Sequence, residues 1–134
     1  MKQIFINLPV QNVEKAMVFY AELGFVNNPL FTDKQQKCMV WSEQIYVMLQ
    51  EKEVFRAYNK KIIPDTKSNN TVSFTLPVES FDRVNEIVEK GLKAGGIETI
   101  PMINEGYMQI RRIEDIDGHT WDIIFLDLDK FQNK

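Results

Sequence analysis

Asp115-Ile116-Asp117-Gly118-His119-Thr120-Trp121-Asp122-Ile123-Ile124-Phe125-Leu126 decides how the chain is read. Asp117-Gly118 predicts a hairpin turn, because a tight turn needs φ > 0 and glycine supplies it without steric cost. Residues 107–113 before the turn read as extended. Thr120 to Leu126 after it are rich in β-branched and aromatic residues, which predicts a second strand. One acid, Asp122, sits among Trp121, Ile123, Ile124 and Phe125. It belongs either on a wet face or in a functional cavity.

Outward from this hairpin, residues 71–78 read as a strand with Pro77 near its end, where a missing N–H is tolerable. Ser80 can cap a helix whose apolar positions Phe81, Val84, Ile87, Val88 and Leu92 share one face. Gly95-Gly96 ends that helix, and residues 97–103 predict a further strand carrying Pro101. The first half runs the same programme. Residues 3–10 predict a strand with Pro9 near its end, and Asn12 caps a helix with Val13, Ala16, Met17, Tyr20 and Leu23 on one face. Gly24 closes it. Residues 25–32 form a weaker extended segment, broken by Asn27-Asn28-Pro29, and residues 37–41 and 44–49 read as two strands.

Leu-Pro-Val occurs at 8–10 and again at 76–78, an offset of 68 residues that also carries Asn12 onto Ser80. A matching tripeptide, capped helix, glycine stop and three strands in the same order point to a duplicated βαβββ module. Module one spans about residues 1–52, a polar linker about 53–70, and module two about 71–128. A short helix is predicted at the start of the linker, around Val54, Phe55 and Tyr58. The fold class is α+β, with the two tandem modules forming a curved mixed sheet around a central cavity and the helices outside. A module of this size buries little surface alone, so both are expected within a single domain.

Composition limits the function. The 134 residues carry 44% apolar and 26% charged side chains, ordinary for a globular protein. A net charge of −3 and scattered basic residues argue against nucleic acid or an anionic membrane as partner. No stretch approaches the roughly 18 apolar residues of a membrane span, and residues 1–10 are not expected to act as a signal peptide. Cys38 is the only cysteine, so no internal disulfide or cysteine-based metal cluster can form, and a cytoplasmic location is expected. There is no phosphate-binding glycine loop and no serine nucleophile elbow.

Val10-Gln11-Asn12, Phe19-Tyr20 and Leu23-Gly24-Phe25 resemble the opening pattern of the vicinal oxygen chelate superfamily, with Asn in place of the usual Asp. That superfamily includes glyoxalase I, extradiol dioxygenases and the bleomycin and fosfomycin resistance proteins. Asp115-Ile116-Asp117-Gly118-His119 resembles its Asp-Pro-Asp-Gly-His turn, with Ile in place of Pro. The resemblance covers nearly the whole chain. It implies a hollow fold, a homodimer and, in metal-dependent members, inward-facing ligands at four positions. These positions fall here on Phe5, Ser73 and Asp122, with the fourth near Val47. Divalent ions want His or carboxylate at three or more such places, so no metal and no other cofactor is expected.

Strand residues two apart share a face, so Asn7 accompanies Phe5, Thr75 accompanies Ser73, and Thr120 and Ile124 accompany Asp122. Phe5, Asn7, Val47, Ser73, Thr75 and Asp122 are therefore the candidate ligand-binding residues, suited to a small organic ligand. Asp122 can accept a hydrogen bond or act as a base, or it can pair with Arg111, Arg112 or a lysine and fix the strands. Alternation allows at most one of Arg111 and Arg112 to point inward. Trp121, of opposite parity to Asp122, is expected under a helix, His119 in the turn, and Cys38 as a buried structural thiol. The leading function is a metal-independent small-molecule binder of the glyoxalase/bleomycin-resistance type. The alternative is a glyoxalase-like lyase or dioxygenase with an atypical divalent-metal site involving Asp122.

Overall fold

Asn12 turns the chain from strand to helix in the first module. Its Oδ1 accepts from the Lys15 backbone N–H at 3.0 Å, satisfying one of the donors that a helix start leaves free. The structure, a computed structural model, describes residues 1–133. These residues divide into two compact units, 1–69 and 70 onward.

In the first unit, β1 (Ile4–Val10) is followed by α1 (Val13–Leu23), β2 (Val26–Asn28), a single 3-10 turn (Pro29–Phe31), β3 (Gln36–Ser42), β4 (Ile45–Glu51) and α2 (Lys52–Ala57). The sheet order is β1-β4-β3-β2, with β1 parallel to β4 and the other pairs antiparallel. The buried stripe of α1 is Val13, Ala16, Phe19, Tyr20 and Leu23, so Phe19 takes the place expected of Met17. It packs on β3 and β4, over Met39, Val47 and Leu49, which are all fully buried. A ring such as Phe19 contributes about 2 kcal/mol by leaving water. The weak extended segment at 25–32 becomes a three-residue strand and a 3-10 turn, because Pro29 lacks the N–H that a continuing strand would donate. The short helix at the start of the linker forms as α2, with Tyr58 at its C-terminal end.

The second unit repeats the order with β5 (Ser73–Pro77), α3 (Phe81–Lys93), β6 (Ile103–Asn104), β7 (Met108–Glu114) and β8 (Thr120–Leu126), then adds a five-residue helix α4 (Leu128–Gln132). Its sheet order is β5-β8-β7-β6, with β5 parallel to β8. Ser80 Oγ caps α3 by accepting from the Arg83 N–H at 3.0 Å. Val84, Ile87 and Val88 bury its inner face, and Trp121 lies 1% exposed on β8, on the strand parity that also carries Ile123. The strand expected at 97–103 shrinks to Ile103–Asn104 plus an isolated bridge between Ile97 and Glu114. Pro101 cannot donate to a ladder, and the chain between these points leaves the sheet.

The β7–β8 connection is longer than a two-residue turn. The strands pair as far as Glu114 and Thr120, and Asp115 organises the five residues between. Its Oδ1 accepts from the N–H groups of Asp117 and His119, both at 2.9 Å, and its backbone O accepts from Gly118 N at 3.0 Å. Gly118 stands at φ 91°, the left-handed conformation a side chain would oppose. No helix among the described residues is long and apolar enough to cross a membrane.

Candidate functional site

Strand alternation gives each sheet a helix-covered face and an open face. In the first unit, Leu8 and Val10 belong to the buried set, and Phe5 and Asn7 lie on the opposite side of β1. Register then selects their neighbours. Phe5 pairs with Tyr46, Asn7 with Met48, and Gln50 on β4 with Gln36 on β3. Phe5, Asn7, Met48, Gln36 and Gln50 thus line one hollow of about 650 Å³, walled by residues 30–33.

The wall is tied down by local hydrogen bonds. Thr32 Oγ1 accepts from the Cys38 N–H at 3.1 Å and donates to the Asn28 carbonyl at 2.8 Å. Asp33 Oδ1 accepts from the N–H groups of Gln35 and Gln36, at 2.8 and 3.0 Å. Lys37, itself buried, donates from Nζ to the Asp33 carbonyl at 2.6 Å and pairs with Glu14 of α1 at 2.8 Å. On the floor, Phe5 stacks on Tyr46 with ring centroids 4.4 Å apart and planes 8° from parallel. The Tyr46 hydroxyl donates to the Glu43 carbonyl at 3.0 Å, which fixes the lower ring.

Val47 does not line this hollow. It is fully buried with the core, and its neighbour Met48 stands on the open face beside Asn7. The correction is one residue, and in a strand one residue is the opposite face.

In the second unit, Ser73 pairs with Thr120, Thr75 with Asp122, and Asp122 with Arg112, so these side chains share the open face of that sheet. Ser73 and Thr75 are exposed, whereas Asp122 is mostly buried. Arg112 engages Asp122 with two hydrogen bonds, Nε to Oδ1 at 2.8 Å and Nη2 to Oδ2 at 3.0 Å. That bond to the Asp122 carboxylate raises the guanidinium's already high pKa, and burial opposes it only in part.

Arg111 points the other way. Its Nε and Nη2 hold Glu98 at 2.8 Å each, and its Nη1 reaches Asn85 at 2.9 Å and Glu89 at 3.1 Å. The same bonds hold the Glu98 carboxyl below the ordinary glutamate value. Arg111 and Glu98 border a second hollow, of about 690 Å³, between α3 and residues 98–102. Its cation already donates to Glu98, Asn85 and Glu89, so it offers an anion little.

A divalent metal does not fit these residues. Phe5, Val47 and Ser73 offer no imidazole or carboxylate, and both oxygens of Asp122 are engaged by Arg112. Among the described residues no three His, Cys, Asp or Glu side chains gather closely enough to hold an ion. His119 lies in the β7–β8 connection, with its N–H bound to Asp115. Cys38 is fully buried, and that burial pushes its thiol pKa up, away from reactivity.

Gln36, Met48 and Gln50 were not singled out by the sequence. Met48 and Gln50 alternate with core residues along β4, which was the available signal. Which residues of β1 and β3 they face depends on register.

Comparison with solved structures supports the same architecture. The chain matches a structure of hypothetical protein SA1046 from S. aureus with a TM-score of 0.78 and 27% identity, over 93% of this chain and 94% of that one. A glyoxalase/bleomycin resistance protein/dioxygenase family enzyme from Burkholderia phytofirmans PsJN matches at TM-score 0.78 and 12% identity, over 94% and 99%. A glyoxalase-related enzyme from Fulvimarina pelagi matches at 0.76 and 19%, over 93% and 88%. No family model and no curated protein sequence matches the chain. The fold is therefore that of the glyoxalase/bleomycin resistance protein/dioxygenase structures, the vicinal oxygen chelate fold, over most of the chain.

Proposed function

We propose that this chain binds a small organic ligand without a resident divalent metal, in the manner of a bleomycin-resistance-type binder. The observation that carries this reading is the hollow on the open face of the first sheet. Phe5 and Met48 supply apolar surface there, Asn7, Gln36 and Gln50 supply uncharged polar groups, and Asp33 adds a carboxylate at the wall. Such a mixture suits a small organic molecule better than an ion. Ser73, Thr75 and Asp122 form a second polar surface, on the open face of the other sheet. Asp122 acts there through Arg112, as a fixed ion pair.

The reading extends to a homodimer working in the cytoplasm. The likeness of fold supports the first, and the single, buried Cys38 supports the second. Sedimentation at micromolar concentration reports the oligomeric state, and a monomer there removes that part of the proposal.

Two measurements test the central claim. Metal analysis of the purified protein is expected to find zinc, nickel, manganese and iron well below one per chain. Stoichiometric metal that is lost in Asp122→Ala would establish the lyase or dioxygenase alternative in its place. Thermal-shift screening against planar antibiotics, thiol conjugates and catechols is expected to raise the unfolding midpoint for at least one class, because binding to the native state stabilises it. Phe5→Ala is expected to weaken that shift while the unliganded midpoint stays close to wild type.

A further inference from the structure

Gln36 and Gln50 oppose each other across β3 and β4, and Gln50 Nε2 donates to Gln36 Oε1 at 3.2 Å. A carboxamide carries two N–H donors and one acceptor oxygen. This bond uses the donor end of one amide and the acceptor end of the other, so Gln36 Nε2 and Gln50 Oε1 are left without another protein partner. Turning both amides over exchanges their roles and leaves the same result, one amide nitrogen and one amide oxygen without a protein partner. The pair is held in place. Gln50 is 8% exposed, and the Asp33 carboxylate pins the Gln36 backbone.

Nearby on the same face, the Phe5 ring stacked on Tyr46 presents a flat apolar surface, with the Met48 thioether beyond it. Asp33 is the one charged side chain among the described residues that line the hollow; the ammonium of Lys37, which follows Gln36, is held by the Asp33 carbonyl and by Glu14. An anionic ligand would meet that carboxylate, and the nearby Lys37 ammonium is already paired with Glu14.

We infer that the hollow recognises an uncharged planar heterocycle through a cyclic-amide edge. The ring N–H is accepted by the free carboxamide oxygen, and the adjacent ring C=O receives the free carboxamide N–H. The ring face lies against Phe5 and Met48. The assignment rests on the small-ligand reading above and gives that ligand its chemical class.

The test uses the full chain, labelled for amide NMR, and three bicyclic probes: quinolin-2-one, its N-methyl derivative and quinoline-2-carboxylate. Quinolin-2-one is expected to shift the side-chain amide signals of Gln36 and Gln50. N-methylation, which removes the donor and leaves the ring, is expected to weaken binding about tenfold, as is Gln36→Leu or Gln50→Leu. The carboxylate is expected to bind weakest. Equal binding of quinolin-2-one and its N-methyl derivative, both moving Phe5 and Met48 signals, overturns the cyclic-amide edge and leaves small-ligand binding standing. If none of the three moves any signal of the hollow at millimolar concentration, the planar-heterocycle assignment falls, and the thermal-shift screen alone decides the small-ligand reading.

Discussion

Arg112 and Asp122 face each other across β7 and β8 and share two parallel hydrogen bonds, of 2.8 and 3.0 Å. A fork of this kind places both oxygens of the acid under one cation. The Asp122 side chain is 14% exposed and that of Arg112 is 30% exposed, so solvent screens the pair only in part.

Removing both partners should therefore cost less than the two single removals added together. Arg112→Leu leaves the more buried charge uncompensated and is expected to destabilise by about 1–3 kcal/mol, discounted from the fully buried case for screening. Asp122→Leu should cost less. The double variant should cost less than the sum of the singles by about 1 kcal/mol, read from urea midpoints. Strict additivity would show that the pair carries no coupling.

Glu98 predicts how part of the stability depends on pH. Its folded-state pKa is lowered, first by the hydrogen bonds from Arg111, so the folded state binds fewer protons at this site than the unfolded chain does. The contribution is thus fully present above the unfolded value of about 4.3 and is lost as pH falls through the folded value. Glu98→Gln should lower the unfolding midpoint at pH 7. The gap to wild type should narrow as pH falls below the unfolded value and through the lowered folded one. A gap that stays constant across that range would assign the effect to packing and not to charge.

Gly96 lies where the end of α3 meets β7. A Cβ there would stand 2.8 Å from the Glu114 carbonyl oxygen, 2.9 Å from Ile113 Cδ1 and 3.0 Å from the Gly91 carbonyl oxygen. Two of those atoms are backbone and cannot swing aside. Gly96→Ala is expected to cost about 1–3 kcal/mol and to loosen the Ile97–Glu114 bridge, visible as faster amide exchange at Ile97. Exchange and stability both at wild-type level would show that the strand edge gives way easily.

Cys38 should behave as a core residue. Fully buried, with its thiol pKa raised by burial, it is expected to resist a thiol reagent in the native protein and to react at once in urea. Rapid labelling of the native chain at neutral pH would place the thiol at the surface.

Much of this protein is legible in its sequence. The Leu-Pro-Val pair at 8–10 and 76–78, the caps Asn12 and Ser80 and the apolar stripes that follow them depend on short-range chemistry, and they predict two βαβββ modules with their helices in place. Strand parity likewise puts Phe5 with Asn7, and Asp122 opposite Trp121. Pairing across strands is another matter. Asn7 meets Met48, 41 residues on, whereas its repeat partner Thr75 meets Asp122, 47 residues on, so the offset of the first two elements does not extend to the last strand. A period of two assigns residues to faces within one strand, and a slip of one residue exchanges the faces of its neighbour. Hence Met48 and not Val47 lies in the hollow, Arg112 and not Arg111 holds Asp122, and Gln36 meets Gln50. Local chemistry determined the elements and their order; the tertiary register, set by which side chains the helices bury, decided which residues share a site.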